Sequence, residues 1–181
     1  SINLKSLALQ VNFYMKYLIL FFSILTWNYG FSQNLPNAEL VNLQGQIIDA
    51  AELKNPGSPL IISFWATWCK PCINELNAFH DYFIDLEYTG LKVLAISIDD
   101  SRTMSRVAPF VAGEAWDYEV YLDPNSNFRR AMGVNNIPHT FLIDDKGSVV
   151  WQANKYIPGE EEELAKKVIS MYQKKLGEKS K

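Results

Sequence analysis

The chain has 181 residues, a formal net charge of −3 and a hydrophobic fraction of 48%. This length fits one domain, since domains usually have about 50–250 residues, and the composition excludes a disordered or fibrous chain. The slightly acidic balance provides no basic surface, so nucleic acid is not expected as a partner. Because the chain has only 2 cysteines, it is not a small disulfide-rich protein.

The first part of the chain has the pattern of an export signal. Lys16 precedes an apolar run, Tyr17–Trp27, and residues 30–32 (Gly-Phe-Ser) offer a small-residue cleavage point. The run of about 11 residues is shorter than the roughly 17–25 that span a bilayer, although an uncleaved membrane anchor is an alternative. We therefore predict that residues 1–32 are upstream sequence plus a signal peptide. Residues 33–181 would then form the domain of an exported, periplasmic or extracytoplasmic protein.

The remaining chain alternates strand-like and helix-like segments. Two short runs around Gln44-Gly45 predict a small N-terminal β-hairpin. Leu60–Trp65 is continuously apolar, as in a central strand buried on both faces. From Cys72 onward, apolar residues recur every three or four positions, which predicts a helix that ends at Gly90. The elements expected after it are a strand over 91–98, a helix over 103–112, a strand over 119–122, a helix over 127–132, a hairpin of 140–143 with 148–152, and a helix over 160–176.

The last predicted helix begins with four glutamates, Glu160–Glu163, whose charges suit the positive end of the helix dipole. Gly177 is predicted to cap its C-terminus, and Leu176 to be among its inward residues. The order of elements indicates an α/β fold. Its βαβ units require parallel pairing and its final hairpin requires antiparallel pairing, so we expect a central mixed β-sheet flanked by helices.

The two cysteines, Cys69 and Cys72, stand between the predicted central strand and the long helix. Pro71 suits the first turn, which places Cys69 at the helix N-terminus. Unpaired N–H groups and the helix dipole there stabilise a thiolate, so the pKa of Cys69 should fall below the free value of about 8.5, and Lys70 acts in the same direction. Cys72 begins the buried stripe. An exposed reactive thiol with a shielded partner can exchange disulfides, since Cys69 attacks and Cys72 resolves the mixed disulfide.

Two other interpretations of the cysteine pair compete with disulfide exchange. The pair could be half of a metal site, but such a site needs about four ligands, and only His80 and His139 remain as soft partners. The two thiols could also be inert core residues. We predict neither a metal nor a cofactor.

Two segments resemble the thioredoxin superfamily. They are residues 64–72, Phe-Trp-Ala-Thr-Trp-Cys-Lys-Pro-Cys, and residues 134–144, Val-Asn-Asn-Ile-Pro-His-Thr-Phe-Leu-Ile-Asp. More closely, the chain is similar to the exported TlpA/ResA-like thiol-disulfide oxidoreductases, and the likeness covers residues 34–176. The resemblance implies a thioredoxin-like fold with a redox-active disulfide between Cys69 and Cys72.

The resemblance also implies a substrate-binding region. Ile137-Pro138 matches the position at which the superfamily has a cis peptide bond beside its active cysteines. The backbone of Ile137 could pair there with an extended substrate segment. Trp65 and Trp68 are expected to frame the cysteines, with Trp68 as a candidate substrate contact. His139 is expected to be a spacer rather than a catalyst.

Two positions bear on proton transfer. Ser63 stands where cytoplasmic thioredoxins carry a buried aspartate, and a serine cannot move a proton at neutral pH. The ResA-like branch instead has a glutamate three residues after the second cysteine, which is Glu75 here. If this side chain is half-buried, its pKa should rise and suit it to exchange a proton with Cys72. The alternative is a solvated helix glutamate.

The resemblance implies a thiol-disulfide oxidoreductase that acts on cysteine pairs of exported proteins. We expect a monomer, although the sequence does not fix the oligomeric state. The resemblance suggests net reduction, with apocytochrome c as a candidate substrate and a membrane thiol carrier as electron donor. A disulfide oxidase or isomerase is an alternative, because the sequence does not fix the direction of electron flow. A thiol peroxidase is another, although Ala66 and Ile62 replace two residues of the peroxiredoxin motif. A copper or zinc carrier using Cys69, Cys72 and His139 is the third.

Overall fold

The computed structural model describes residues 35–179, whose strands form a seven-stranded sheet. Across this sheet the strand order is β2-β1-β5-β4-β3-β6-β7. The strands are β1 (Glu39–Asn42), β2 (Ile47–Asp49), β3 (Leu60–Trp65), β4 (Lys92–Ser97), β5 (Glu119–Leu122), β6 (His139–Ile143) and β7 (Val149–Ala153).

Helices connect or follow most of these strands. The α-helices are α1 (Lys70–Phe83), α2 (Val107–Glu114), α3 (Asn127–Ala131) and α4 (Glu160–Lys179). Short 3-10 helices cover Ala50–Glu52, Ile84–Thr89 and Met104–Arg106. Within the described residues, none of the helices combines the length and the hydropathy needed to cross a bilayer.

The sheet is mixed, as the sequence predicts. Strands β3, β4 and β5 are parallel neighbours joined through α1 and α2, whereas β6 and β7 are antiparallel to the strands they pair with. The predicted N-terminal hairpin is also present, because β1 pairs antiparallel with β2 and with β5. The predicted fold class is therefore confirmed. The predicted signal peptide in residues 1–32 lies outside the described residues.

Strand β3 lies at the centre of the core, and all six of its residues are buried. Because side chains alternate along a strand, Ser63 and Phe64 face opposite sides of the sheet. Ser63 contacts a residue of α1, which packs with α4, whereas the ring of Phe64 lies 5.5 Å from that of Phe128 in α3. Helices thus cover both faces, and the carboxyl end of β3 leads directly to the two cysteines.

Helix α1 forms because a stripe of apolar residues covers one of its faces and Pro71 fits its first turn. The buried members of this stripe are Cys72, Leu76, Phe79 and Phe83. The predicted α-helix up to Gly90 is shorter in the structure, since Ile84–Thr89 is a 3-10 helix. This tighter segment still buries Leu86, and Gly90 ends it with a left-handed φ of 73°.

Two predictions about the last helix are wrong. Helix α4 continues through Gly177 to Lys179, so Gly177 is not its cap, and Leu176 is 49% exposed rather than inward. A helix of 20 residues is about 30 Å long, whereas a strand of 5 residues spans about 17 Å. The sheet can therefore cover only part of α4, where Leu164 and Val168 are fully buried.

Candidate functional site

The two cysteines form a disulfide at the start of α1. Cys69 is the N-terminal cap residue of the helix, and its carbonyl oxygen accepts the first helical hydrogen bond, from Ile73 N–H at 3.1 Å. Its Sγ lies 2.00 Å from that of Cys72. Lys70 and Pro71 are exposed in the first turn. The structure thus places Cys69 where the sequence predicts it, next to the unpaired N–H groups of a helix N-terminus.

The predicted exposure of Cys69 is wrong for this oxidised state. Cys69 is only 6% exposed, and Cys72 is fully buried. Cys69 is buried because the disulfide bond holds its sulfur against the sulfur of Cys72, which lies in the interior. Cys69 is still the more accessible of the two, as an attacking thiol must be.

The two tryptophans beside the disulfide differ in exposure. Trp65 is fully buried, and its ring packs against those of Phe110 and Trp116 at centroid distances of 5.7 and 5.1 Å. Trp68, which directly precedes Cys69, is 62% exposed. A large aromatic side chain in solvent next to a reactive sulfur is available to contact a partner.

The Ile137–Pro138 peptide bond is cis, as the resemblance predicts. The pairing of Phe64 with His139 places Pro138 beside the carboxyl end of β3, the edge at which the disulfide lies. Pro138 is buried, and Ile137 is partly exposed. The structure therefore brings this loop to the same sheet edge as the cysteines, and its role in substrate binding stays a prediction.

Glu75 is buried one turn after Cys72, with 2% of its surface exposed. Its Oε2 accepts two hydrogen bonds of 2.9 Å, one from the hydroxyl of Ser63 in β3 and one from the hydroxyl of Thr140 in β6. Ser63 and Thr140 are cross-strand partners, so both hydroxyls reach α1 from adjacent strands. A solvated helix glutamate is excluded by this burial.

Burial raises the pKa of Glu75 to about 7, because an ionised carboxylate loses its hydration inside the protein. The hydrogen bonds from Ser63 and Thr140 act in the opposite direction, and the negative charges of Glu160 and Glu161 raise the pKa further. A carboxyl group with this pKa can take up or release a proton at neutral pH, and it lies one helical turn after the buried Cys72.

Sequence reasoning missed the contribution of Ser63 and Thr140. The sequence predicts for Ser63 only the loss of an aspartate, whereas in the structure its hydroxyl donates to the carboxylate of Glu75. A signal was available, because Ser63 is the one polar residue in the buried run Leu60–Trp65. A buried hydroxyl in such a strand needs a partner on the helix above it.

The two histidines considered as ligands lie in separate environments. The ring of His139 stacks on Phe141 at 4.5 Å, and burial lowers its pKa. The ring of His80 contacts Tyr118 edge-on at 6.2 Å. Across residues 35–179, no group of three or more His, Cys, Asp and Glu side chains is arranged to hold a metal ion.

Comparisons with known proteins agree with this geometry. The model of the AhpC/TSA family matches residues 31–152. Thiol-disulfide oxidoreductase ResA of Bacillus thuringiensis (strain Al Hakam) is 32% identical over 117 residues, which are 65% of this chain and 65% of that protein. A solution structure of an uncharacterized thioredoxin-like protein from Porphyromonas gingivalis has 41% identity and a TM-score of 0.69, covering 77% of this chain and 92% of that one.

These matches confirm the resemblance to thioredoxin-like thiol-disulfide oxidoreductases that the two sequence motifs indicate. The chain spans about two thirds of the length of the first of these relatives. The site thus combines a disulfide at a helix N-terminus, a buried carboxyl group with a pKa of about 7 and an exposed tryptophan.

Proposed function

The chain belongs to the AhpC/TSA family, and we propose that it is a thiol-disulfide oxidoreductase that acts outside the cytoplasm. The observation that carries this proposal is the Cys69–Cys72 disulfide at the N-terminus of α1, with the carboxyl group of Glu75 buried one turn further on. A helix N-terminus stabilises the thiolate that attacks, and a nearby group of pKa about 7 can accept the proton of the second thiol.

The reaction proceeds through two exchanges of sulfur bonds. The Cys69 thiolate attacks one sulfur of a substrate disulfide, so a mixed disulfide forms and the first substrate thiolate leaves and takes up a proton. Glu75 then accepts the proton of Cys72. The Cys72 thiolate attacks the sulfur of Cys69, which forms the Cys69–Cys72 disulfide and releases the second substrate thiol. Two electrons pass from the cysteine pair to the substrate.

We further propose that the substrates are disulfides of exported proteins and that the net direction is reduction. The apolar run Tyr17–Trp27 after Lys16 supports export, and the relative named thiol-disulfide oxidoreductase ResA supports thiol-disulfide exchange. Apocytochrome c is a candidate substrate, and a membrane thiol carrier would return electrons to the pair. The exposed ring of Trp68 and the backbone of Ile137 would contact the substrate on either side of the disulfide.

The test uses two single-cysteine variants. Protein that has been reduced with dithiothreitol and then freed of it should reduce insulin. Cys69→Ser should abolish this reduction, because the attacking sulfur is lost. Cys72→Ser should instead accumulate a covalent complex with an oxidised protein, because the mixed disulfide is no longer resolved. A Cys69→Ser protein with full activity would contradict the proposal.

Two further measurements separate the alternatives. A reduction potential near that of thioredoxin, about −270 mV, supports reduction, whereas one near −120 mV, as in strong oxidants, supports the oxidase alternative. Consumption of hydrogen peroxide by the same preparation, at a rate above that of disulfide exchange, would instead support a thiol peroxidase.

A further inference from the structure

A second buried carboxylate lies behind the loop that carries the disulfide. Asp99 follows β4 and is fully buried. Its Oδ2 accepts the backbone N–H of Thr67 at 2.8 Å, and its Oδ1 accepts the hydroxyl of Thr67 at 2.7 Å. The hydroxyl of Ser97 donates to Oδ2 at 2.9 Å. Two of its three hydrogen bonds thus hold one residue, two positions before Cys69.

Thr67 lies inside the turn that leads from the central strand to the redox helix. The N–H of Cys69 donates to the carbonyl oxygen of Ala66 at 3.0 Å and closes this turn around Thr67 and Trp68. Strands β3 and β4 are parallel, so their carboxyl ends meet, and Ile98 N–H donates to the carbonyl oxygen of Trp65 at 2.9 Å. The carboxylate of Asp99 therefore comes from a neighbouring strand end that is fixed by the sheet.

We propose that Asp99 is a positioning residue for thiol-disulfide exchange, because it fixes Thr67 and thereby holds Cys69 at the N-terminus of α1 and Trp68 in solvent. The proposal rests on the exchange reaction proposed above. It assigns a role in that reaction to a carboxylate that contacts neither sulfur.

The loss of the disulfide on reduction explains why the hydrogen bonds between Thr67 and Asp99 would be needed. In the oxidised protein the disulfide itself ties Cys69 to Cys72 inside the helix. Reduction removes this covalent tie, and Cys69 has no side-chain hydrogen bond that caps the helix. The bonds from Thr67 to Asp99 involve no sulfur, so reduction of the disulfide does not itself break them, and they would hold the loop in the state in which Cys69 must attack.

The experiment compares variants in which the hydroxyl of one threonine is either removed or kept. Thr67→Val deletes the hydroxyl bond to Asp99 and keeps the shape and the charge, whereas Thr67→Ser keeps the hydroxyl. Thr89→Val is the control, because the buried hydroxyl of Thr89 lies away from the redox loop. It donates to the carbonyl oxygen of Leu86 at 2.6 Å and accepts the N–H of Leu91 at 3.2 Å, so this variant loses at least as many hydrogen bonds as Thr67→Val. Each reduced full-length protein is treated with iodoacetamide, and the rate of modification of Cys69 is followed by peptide mapping across pH.

Thr67→Val should slow the modification of Cys69 by about 3- to 10-fold at neutral pH, the loss expected for one ordinary hydrogen bond. The midpoint of its pH profile should move upward, because a loosened Cys69 leaves the N–H groups of the helix. Thr67→Ser and Thr89→Val should keep the rate and the midpoint of the wild type.

A Thr67→Val protein with the wild-type rate and midpoint, and with only a lower unfolding temperature, would overturn the proposal. If Thr67→Val does not fold, Asp99→Asn gives the answer in the same assay, since it keeps the shape of Asp99 and loses one of its two acceptor oxygens. An unchanged rate in that variant would also overturn the proposal. Iodoacetamide needs no protein substrate, so failure of the proposed function appears separately, as an inactive wild type with intact Cys69 reactivity.

Discussion

Two buried carboxylates lie near the disulfide, and they are bound in different ways. Glu75 accepts two hydroxyls on the same oxygen, Oε2. Asp99 uses both oxygens and accepts a backbone N–H as well as two hydroxyls. The first group lies on the helix beside Cys72, and the second lies behind the loop before Cys69.

The difference indicates that burial alone does not decide what a carboxylate does. Two neutral hydroxyls offset only part of the desolvation of Glu75, so its pKa rises to about 7 and the group can exchange a proton. Three donors on Asp99, two of them from one loop residue, instead make a connection that fixes backbone. We therefore propose proton transfer for Glu75 and positioning of the loop for Asp99.

The largest expected effect is on the pH dependence of stability. The pKa of Glu75 is higher in the folded than in the unfolded chain, so the folded protein binds the proton more tightly. This contribution is fully present below about pH 4.5 and is lost as the pH rises through about 7. The rise corresponds to about 3 kcal/mol of unfolding free energy.

Urea unfolding of the oxidised wild type and of Glu75→Gln at several pH values measures this contribution. The stability of the wild type relative to Glu75→Gln should fall by about 3 kcal/mol between about pH 4.5 and pH 8. A difference that stays constant across this range would show that Glu75 does not titrate there.

Glu75→Gln should also slow turnover in the insulin assay by about 10- to 100-fold, because the resolving step loses its proton acceptor. The fold should persist, since glutamine keeps the shape and can still accept from the hydroxyls of Ser63 and Thr140. The single-turnover rate of mixed disulfide formation by Cys69 should change little. Equal losses in both steps would argue that the variant disturbs Cys69 rather than proton transfer.

Removing one hydroxyl donor should move the pKa of Glu75 above its value of about 7, because both hydrogen bonds lower it. Ser63→Ala and Thr140→Val should each shift the inflection of the pH–turnover profile upward, with a stability loss of about 1 kcal/mol. Thr89→Val again serves as the control, and its profile should match the wild type. A lower inflection in either variant would contradict the assigned effect of the hydroxyls.

Trp68→Ala should have the smallest effect. The side chain is 62% exposed, so stability should change by less than about 0.5 kcal/mol. The KM for a protein disulfide should rise about fivefold, as for a contact worth about 1 kcal/mol, while the reaction of Cys69 with iodoacetamide stays the same. Tyr82→Ala is the control, since this residue of α1 is 45% exposed at the far end of the helix. Equal KM values for Trp68→Ala and Tyr82→Ala would show that Trp68 does not contact the substrate.

Much of the fold could be predicted because local patterns of apolar residues indicate its strands and helices. The predicted bounds of Leu60–Trp65 coincide with β3, since an almost continuous apolar run of this length favours a strand buried on both faces. Those of Glu119–Leu122 coincide with β5, in which Val120 and Leu122 are buried and alternate with more exposed residues. The end of α4 could not be predicted from Gly177, because the cost of about 1 kcal/mol for a helical glycine does not by itself end a helix.

The residues that the helix start brings together could be predicted from one short motif, whereas the hydrogen bonds that hold them from other strands could not. Cys69, Cys72 and Glu75 lie within one helix start, where spacing fixes their geometry. The bond from Thr140 to Glu75 joins residues 65 positions apart, and the bonds from Thr67 to Asp99 join residues 32 positions apart. Such contacts depend on strand order, which the sequence pattern does not specify.

The most direct test of Glu75 as the proton acceptor is the titration of its own carboxyl group. Carbon-13 NMR of the oxidised protein labelled at glutamate side-chain carboxyl carbons follows each group across pH, and the resonance missing in Glu75→Gln identifies this one. If Glu75 exchanges a proton at neutral pH, its midpoint lies near 7. A midpoint near 4.5, the ordinary value for glutamate, would contradict this role.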